Sequence, residues 1–441
     1  MANGKVSKLA ISSRIIVICL QFIANVLIPD HNPDVFKSPK TLSSTPFIID
    51  KLSEFLFGGF RRWDAEYFLH IAEYGYTYEN NLAFYPLYPI IIHYCTKIAL
   101  AMTFYTCSFR AASLVVSILL NVYFFHRGAN CLYELTQRIF GDPNKSWMAV
   151  VLFCFNPASI FFSAPYSESL YCWLSFSLML SCVNHLPFYK TTAALGLSIL
   201  CRSNGFLNIG YPVYFTFRKI YLKKNFWDLF KLVAILGLAL IPLSIFNFFM
   251  FQNFCLQSSD VQHSHFIIEY AKQRNYVLAG PRISSNSPWC DENIPFPYSY
   301  VQNHYWDLGF LKYYKFRQIP NFSLAFPILL FLFTNIFRCM KKLYSHFNIN
   351  GFSSTLKEWK SLPFILHCLI LVIFCTLFVY IQVCTRLLAS ANPCLFWFAA
   401  DCLPKTFDQI NFKRKYSLLL YWFGGYFLIG TTLFCNFYPW T

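Results

Sequence analysis

The sequence predicts an all-α polytopic membrane protein, one multi-spanning unit over 1–441 threaded by roughly eight to eleven apolar helices. Three observations predict it. Apolar types make up 56% of the 441 residues and charged types only 13%, whereas a soluble chain carries about a quarter charged. Phe alone occurs 51 times, more apolar surface than a chain of this length can enclose in a core of its own. Basic clusters also fall between the apolar runs: Arg218, Lys219, Lys223 and Lys224; Arg338, Lys341 and Lys342; Lys413, Arg414 and Lys415. Such clusters are retained on the cytosolic side of a membrane. They account for the formal charge of +16 without nucleic acid as a partner.

The elements follow in order. Met1 to Arg14 is short and basic, and the apolar run Ile15 to Ile28 follows without a small-residue cleavage site. It reads as a retained first span with a cytosolic N-terminus. Residues 30–85 form a long polar segment. Apolar segments follow at 86–106, 111–125, 146–163, 168–186, 191–217 and 232–251. A second long polar loop covers 252–319. The last apolar segments are 320–337, 362–383, 387–404 and 416–435. The basic stretches at 218–231, 338–360 and 405–415 belong in the cytosol. Both long loops, 30–85 and 252–319, then share the opposite compartment.

Between 86 and 217 the pattern leaves two versions. If 86–106 and 111–125 both cross, 126–145 faces the far side, yet it carries Arg127, Arg138 and Lys145. The basic count favours one re-entrant segment, with Ser163 to Ser169 on the far side. Most of the 17 cysteines lie in apolar runs and read as small buried hydrophobes. Cys255 and Cys290 share the second loop and can pair if it faces an oxidising compartment. No zinc-type spacing and no pair of matched halves is present.

The densest polar cluster runs from Arg61 to Tyr76 and reads as a short helix. Asp64 sits at the N-cap position and Gly75 at the C′ position. Glu66, His70 and Glu73 share one face. Asp64 either caps an interfacial helix or presents a carboxylate to a lipid-borne substrate at the membrane surface. Asp64 and Glu66 also form a D-x-E pair, a spacing too common to establish a metal site. Glu168, in the run Phe155 to Ser169, and Arg202, in Arg202-Ser203-Asn204-Gly205, flank apolar spans. Each is costly there unless paired or functional, and pairing with one another is the plainer reading. Gln302, His304 and Trp306 lie in the polar-aromatic run Pro297 to Asp307, which suits sugar stacking or an interfacial belt. Arg386 stands beside a span on the same side. No Walker loop, Rossmann fingerprint, G-x-S-x-G elbow or H-E-x-x-H appears.

Arg62-Trp63-Asp64-Ala65-Glu66 through Pro89, Phe155 to Ser169, Arg202 to Gly205, Tyr298 to Trp306 and Arg386 to Trp397 form an ordered series. On these stretches the chain resembles the glycosylphosphatidylinositol mannosyltransferase 2 family, which adds the second mannose to the anchor precursor. Only the stretch from His263 to Asp291 has no counterpart. The resemblance implies a C-type glycosyltransferase fold, multi-pass in the endoplasmic reticulum membrane with a lumenal site. It implies dolichyl-phosphate mannose as donor, the glycosylphosphatidylinositol precursor lipid as acceptor, an α1,6 bond and inversion at C1. It leaves room for an accessory membrane subunit and implies no cofactor. The family's lumenal acidic residue falls on Asp64, the expected general base, with Glu66 as the fallback. Arg62, Arg202 and Arg386 are the phosphate candidates, Arg386 first. Trp63, His70, Glu168, Gln302, His304 and Trp306 complete the expected substrate-binding set. A sugar-lipid transporter, another polyprenyl-phosphate-sugar transferase and a non-catalytic subunit remain rival readings.

Overall fold

A bilayer offers no water to unpaired backbone groups, so a spanning chain closes its hydrogen bonds within helices. The computed structural model describes residues 2–39, 48–224, 226–256, 263–280, 287–403 and 414–440. Its helices are α1 (Ala2–Leu27), α2 (Ile48–Phe57), α3 (Asp64–Tyr74), α4 (Leu87–Met102), α5 (Phe109–Phe140) and α6 (Pro143–Cys154). Next come α7 (Glu168–Val183), α8 (Phe188–Cys201), α9 (Gly210–Lys223), α10 (Trp227–Cys255), α11 (His265–Arg274) and α12 (Pro297–Trp306). The last are α13 (Ile319–Glu358), α14 (Leu362–Phe378), α15 (Cys384–Ala391), α16 (Cys394–Cys402) and α17 (Arg414–Cys435). Among the described residues there is no strand, only an isolated bridge between Tyr78 and Leu278. The architecture is all-α and polytopic. Among the described residues, five helices are long and apolar enough to cross a membrane: Gly4–Leu27, Phe109–Phe140, Trp227–Cys255, Phe316–Leu356 and Leu418–Cys435. Four apolar helices are shorter: Leu87–Met102, Glu168–Val183, Phe188–Cys201 and Leu362–Phe378.

The first span does not begin after Arg14. α1 runs through it, and Arg14 is fully buried. Its guanidinium donates to the carbonyls of Ser159 (2.7 Å) and Cys154 (2.8 Å) and to Ser159 Oγ (2.6 Å). It also stacks 3.9 Å from the Phe125 ring centroid. A charge that composition assigns to a cytosolic flank instead caps backbone carbonyls inside the protein.

Segment 126–145 is not a loop either. α5 is one helix of 32 residues. Ser108 Oγ accepts from Ala111 N (3.2 Å) at its start, and Gly141, at φ 68°, ends it. Its first turn meets α3 through Arg110 and Glu66 (3.2 Å) and meets α4 through Phe109 and His93 (5.8 Å). α4 and α5 thus both begin near the end holding the long polar segments.

Three expected single segments are broken, each at a polar motif. Segment 146–163 stops at Asn156-Pro157, 191–217 at Arg202 to Gly205, and 387–404 at Asn392-Pro393. The two Asn-Pro breaks use one device. Asn156 Oδ1 accepts from Ala158 N (2.8 Å), and its amide donates to Phe153 O (2.7 Å). Asn392 Oδ1 accepts from Cys394 N (2.8 Å), and its amide donates to Phe364 O (3.0 Å). At the third break a Cβ on Gly205 would collide with the backbone of Ser198 and Ile199. Only glycine allows that approach.

The two long polar segments pack together as one layer. Glu79 N donates to Val277 O (2.9 Å) and Ala279 N to Thr77 O (3.0 Å). Trp289 Nε1 and Tyr305 OH both donate to the Glu79 carboxylate, at 2.8 and 2.9 Å. Cys255 and Cys290 form a disulfide across 35 residues. Much of the basic stretch 405–415, including Lys413, lies outside the described residues.

His70 anchors the first segment. Ser38 Oγ and Thr77 Oγ1 lie 2.8 and 2.7 Å from its two ring nitrogens. Burial and the Arg110 charge push its pKa from 6.5 down to about 3. The unfolded chain therefore takes up this proton below pH 6.5, and the folded chain only near pH 3. Stability contributed here is present above pH 6.5 and is lost as pH falls below it, by up to about 1.4 kcal/mol per unit. The thermal midpoint in detergent should fall from pH 6.5 to 4.5 more steeply in the wild type than in His70→Gln. Equal slopes would exclude His70 as the titrating group.

Candidate active site

α3 places the first functional side chain. The preceding Trp63 holds φ 56° and ψ −125°, an unusual conformation for a non-glycine residue, and makes no side-chain cap. The helix begins at Asp64 itself, so Asp64 occupies the first helical position and not the N-cap expected from its spacing. Tyr166 fixes this corner. Its hydroxyl accepts from Asp64 N (3.1 Å) and donates to Arg62 O (3.4 Å). The Asp64 side chain is one-third exposed, and its Oδ2 accepts from Arg386 Nη2 at 2.7 Å.

Arg386 comes from α15, just before the Asn392-Pro393 break. Its Nη1 lies 3.5 Å from Glu168 Oε1, at the first residue of α7. Arg202, at the break after α8, lies 2.6 Å from the same Glu168 oxygen. It also donates to Ser167 Oγ at 3.1 Å. The Glu168 side chain is fully buried. Its oxygens make no well-aligned hydrogen bond among the described residues, although both arginines approach within 4 Å. The contact is an ion pair by distance, and charge, not alignment, holds it. Two carboxylates and two arginines thus form a neutral chain from the buried Glu168 to the open Asp64.

A cavity of about 420 Å³ opens at the Asp64 end. Asp64, Arg202 and Arg386 line it together with Tyr85, Ser203, Asn204, Tyr298, Gln302 and Trp306. Its apolar lining includes Phe374, Phe378, Val379 and Leu387 around Tyr380. Asp64 is the one acidic residue on its walls among the described residues. Polar-aromatic lining together with apolar lining suits a molecule with a sugar at one end and a lipid at the other.

The residues singled out in the sequence divide here. Asp64, Arg202, Gln302, Trp306 and Arg386 converge on the cavity. Glu168 lies behind it, joining the two arginines. The remaining candidates face elsewhere. Arg62 pairs with Asp30 (2.8 Å), donates to Cys435 O (2.8 Å) and covers the Phe437 ring. Trp63 packs edge-on against Phe437. Glu66 pairs with Arg110 and accepts from Ser38 N (3.3 Å), so the D-x-E pair is split between two arginines and makes no joint chelate. His70 is enclosed in its loop, and His304 stacks on Tyr300.

Other site residues lie in the quoted stretches but are not among the candidates. Tyr166 lies in a quoted run, but no periodicity marks it. Ser203 and Tyr298 hydrogen-bond at 2.7 Å across 95 positions. Asn204 Nδ2 is buried without a partner among the described residues and lies on the cavity wall. Its motif is quoted in the sequence, but the unpaired donor that marks it within that motif is visible only in the structure.

Comparison with known proteins bears on this arrangement. The profile of the mannosyltransferase (PIG-V) family matches residues 3–441. GPI mannosyltransferase 2 of Drosophila pseudoobscura pseudoobscura is 46% identical over 456 residues, covering 99% of this chain and 99% of that protein. Its counterpart in Drosophila melanogaster is 44% identical over 449 residues, with 99% of each covered. GPI alpha-1,6-mannosyltransferase 2 of Homo sapiens is 30% identical over 501 residues, covering 100% of this chain and 99% of that protein. The similarity runs end to end and takes in every motif that meets at the cavity, and on that extent the chain belongs to the PIG-V mannosyltransferase family.

Proposed function

We propose that the chain transfers mannose from dolichyl-phosphate mannose to the first mannose of a glycosylphosphatidylinositol anchor precursor. The new bond is α1,6, and the reaction runs in the endoplasmic reticulum lumen with inversion at C1. The observation that carries this reading is the cavity with one open carboxylate beside two arginines and with apolar lining as well. The acceptor's primary hydroxyl attacks C1 of the β-linked donor from the face opposite the phosphate. Asp64 takes the hydroxyl proton as general base. The C1–O bond breaks, and dolichyl phosphate leaves with the electron pair. Arg386 and Arg202 stabilise the charge that grows on the phosphate, and the guanidinium fork suits that group. Tyr298, Gln302 and Trp306 form the sugar wall, and the α14 end of the cavity receives the prenyl chain. Glu168 orients the two arginines without reaching the substrate. The names of the relatives and the ordered motifs support the substrates, and the basic clusters support the lumenal placing.

Because Asp64 does not cap α3, Asp64→Asn removes the proton acceptor and leaves the helix start intact. Mannosyl transfer by purified Asp64→Asn protein should fall by roughly 100-fold or more at unchanged expression. A variant of near wild-type rate would overturn the assignment. Substitution of Arg386 separates charge from geometry. Arg386→Ala should lower kcat/KM for the donor by roughly 100-fold, and Arg386→Lys should recover part of that loss. Unchanged donor kinetics in both would make Arg386 structural only. An epitope tag after Glu292 tests the side of the membrane. It should resist protease in sealed microsomes and become accessible on permeabilisation, and digestion without permeabilisation would reverse the topology.

A further inference from the structure

α12 presents two stripes to two different surroundings. Tyr298, Gln302 and Trp306, each four positions after the last, lie along one side and line the active-site cavity. Pro297, Val301 and Tyr305 precede them by one position each, so they lie along the neighbouring side, about 100° round the helix. Pro297 and Val301 are buried there. Val301 belongs to a small apolar cluster with Leu82, Met250, Phe254, Ala279 and Trp289. Each of these cavity residues is thus backed by a neighbour set in the layer of long polar segments.

One carboxylate joins that layer to α12. Glu79 is buried. Its Oε1 accepts from Trp289 Nε1 at 2.8 Å and its Oε2 from Tyr305 OH at 2.9 Å. Burial and the Glu79 charge push the Tyr305 hydroxyl above its usual range, so it stays a donor. Trp289 is itself held from behind, because Cys290, next in the chain, is bonded to Cys255 at the end of α10. Glu79 also opens the turn Glu79–Ala83. The next two residues, Phe84 and Tyr85, line the cavity. Their rings lie edge-on to Trp306 (6.2 Å) and Tyr298 (5.3 Å). Glu79 therefore ties together α12, the Phe84 turn and the disulfide-closed loop behind one patch of the cavity lining, of which it is not itself a part.

We propose that Glu79 is a positioning residue for the reaction: it holds the stripe of Tyr298, Gln302 and Trp306 in the orientation that receives the substrate's sugar. The inference rests on the mannosyl-transfer reading for its substrate and on the hydrogen bonds of Glu79 for its mechanism. Gln302 recognises by the direction of an amide and Trp306 by the face of a ring, and both turn with the helix that carries them. A wall already fixed carries no ordering cost when the sugar arrives. The stripe offers neither the proton acceptor nor the phosphate cations, so it serves ground state and transition state alike. Loosening it therefore raises KM more than it lowers kcat.

Wild-type, Glu79→Ala and Glu79→Gln full-length chains, purified in detergent, test the proposal by two readouts. The first needs no substrate. Amide hydrogen exchange across α12 should be faster in Glu79→Ala than in wild type, while exchange across α5 and α7 stays the same. The second is steady-state mannosyl transfer. KM for the donor or the acceptor should rise roughly tenfold in Glu79→Ala, the scale of ordering one or two side chains on binding. kcat should stay within roughly twofold of wild type. Glu79→Gln keeps an oxygen for Trp289 and can donate its amide to the Tyr305 hydroxyl, so KM should return towards wild type. If Glu79→Ala does not fold, Tyr305→Phe replaces it, removing one hydroxyl and keeping the ring, and a smaller rise in KM is expected. Unchanged exchange across α12, unchanged KM, a loss confined to kcat, or a Glu79→Gln variant as impaired as Glu79→Ala would overturn the proposal. Faster exchange across α12 in a protein whose wild type transfers no mannose would support the positioning and overturn the proposed reaction instead.

Discussion

The site depends on a carboxylate that never meets solvent. Glu168 is fully buried at the start of α7, with Arg202 at 2.6 Å and Arg386 at 3.5 Å. Burying one charge alone costs several kcal/mol, and removing one member of such a set strands the others at a cost of about 3–5 kcal/mol. The three residues come from three segments, 34 and 184 positions apart along the chain, and each segment is irregular where the charge emerges. The charge requirement thus joins the end of α8, the start of α7 and the turn of α15 at one point. Asp64 is the solvent-facing member of this set, held to it by Arg386 at 2.7 Å.

Irregular backbone at membrane depth survives only where something else completes its hydrogen bonds. Here side chains do so. Asn156 and Asn392 each bond forward to an amide and outward to a carbonyl. Arg14 serves the same need at a distance, reaching from α1 to the carbonyls of Cys154 and Ser159. The breaks carry Tyr166, Glu168, Arg202 and Arg386 into position. Continuous helices at these places would pair every amide internally and leave no turn from which an arginine could reach the cavity. Polar residues inside a chain this apolar are therefore spent at the breaks and at the layer above them.

The sequence makes some of this legible and hides the rest for physical reasons. Apolar run length and basic spacing are properties of composition, so the polytopic helical class and both long polar segments can be read directly. The short helix from Asp64 to Gly75 and the meeting of Glu168 with Arg202 also follow from local pattern and the cost of lone charges. Helix continuity misleads, because a run such as 191–217 has the same hydropathy whether straight or broken. Arg14 misleads for a related reason: a lone arginine at a span edge reads as a flank, and only the carbonyls it reaches reveal a clamp. Glu66 and Asp64 are two residues apart and look equivalent, yet neighbouring positions on a helix point about 100° apart per residue. The first faces Arg110 and the second the cavity. Tertiary partners, invisible in a linear pattern, decide between them.

The proximity of Asp64 and Arg386 has a consequence for the proposed reaction. In the resting site the arginine neutralises the carboxylate, an arrangement that by itself opposes basicity. The reaction, however, moves charge without creating it. A phosphodiester donor carries one negative charge, and the leaving dolichyl phosphate carries one more. The unit gained there is the unit lost when Asp64 takes the acceptor's proton. An arginine that touches Asp64 and also lies on the cavity wall can follow that charge from carboxylate to phosphate by a small displacement. The buried Glu168 keeps it from leaving with the product, since its second contact does not change. Placement of a fixed cation where charge arrives, in a site shielded from water, is the arrangement that stabilises a transition state more than a ground state. The neutral four-residue chain is then not merely scaffolding. In the proposed reaction it would supply a counter-charge to both ends of the proton and phosphate transfer while its own net charge, before substrate enters, stays at zero.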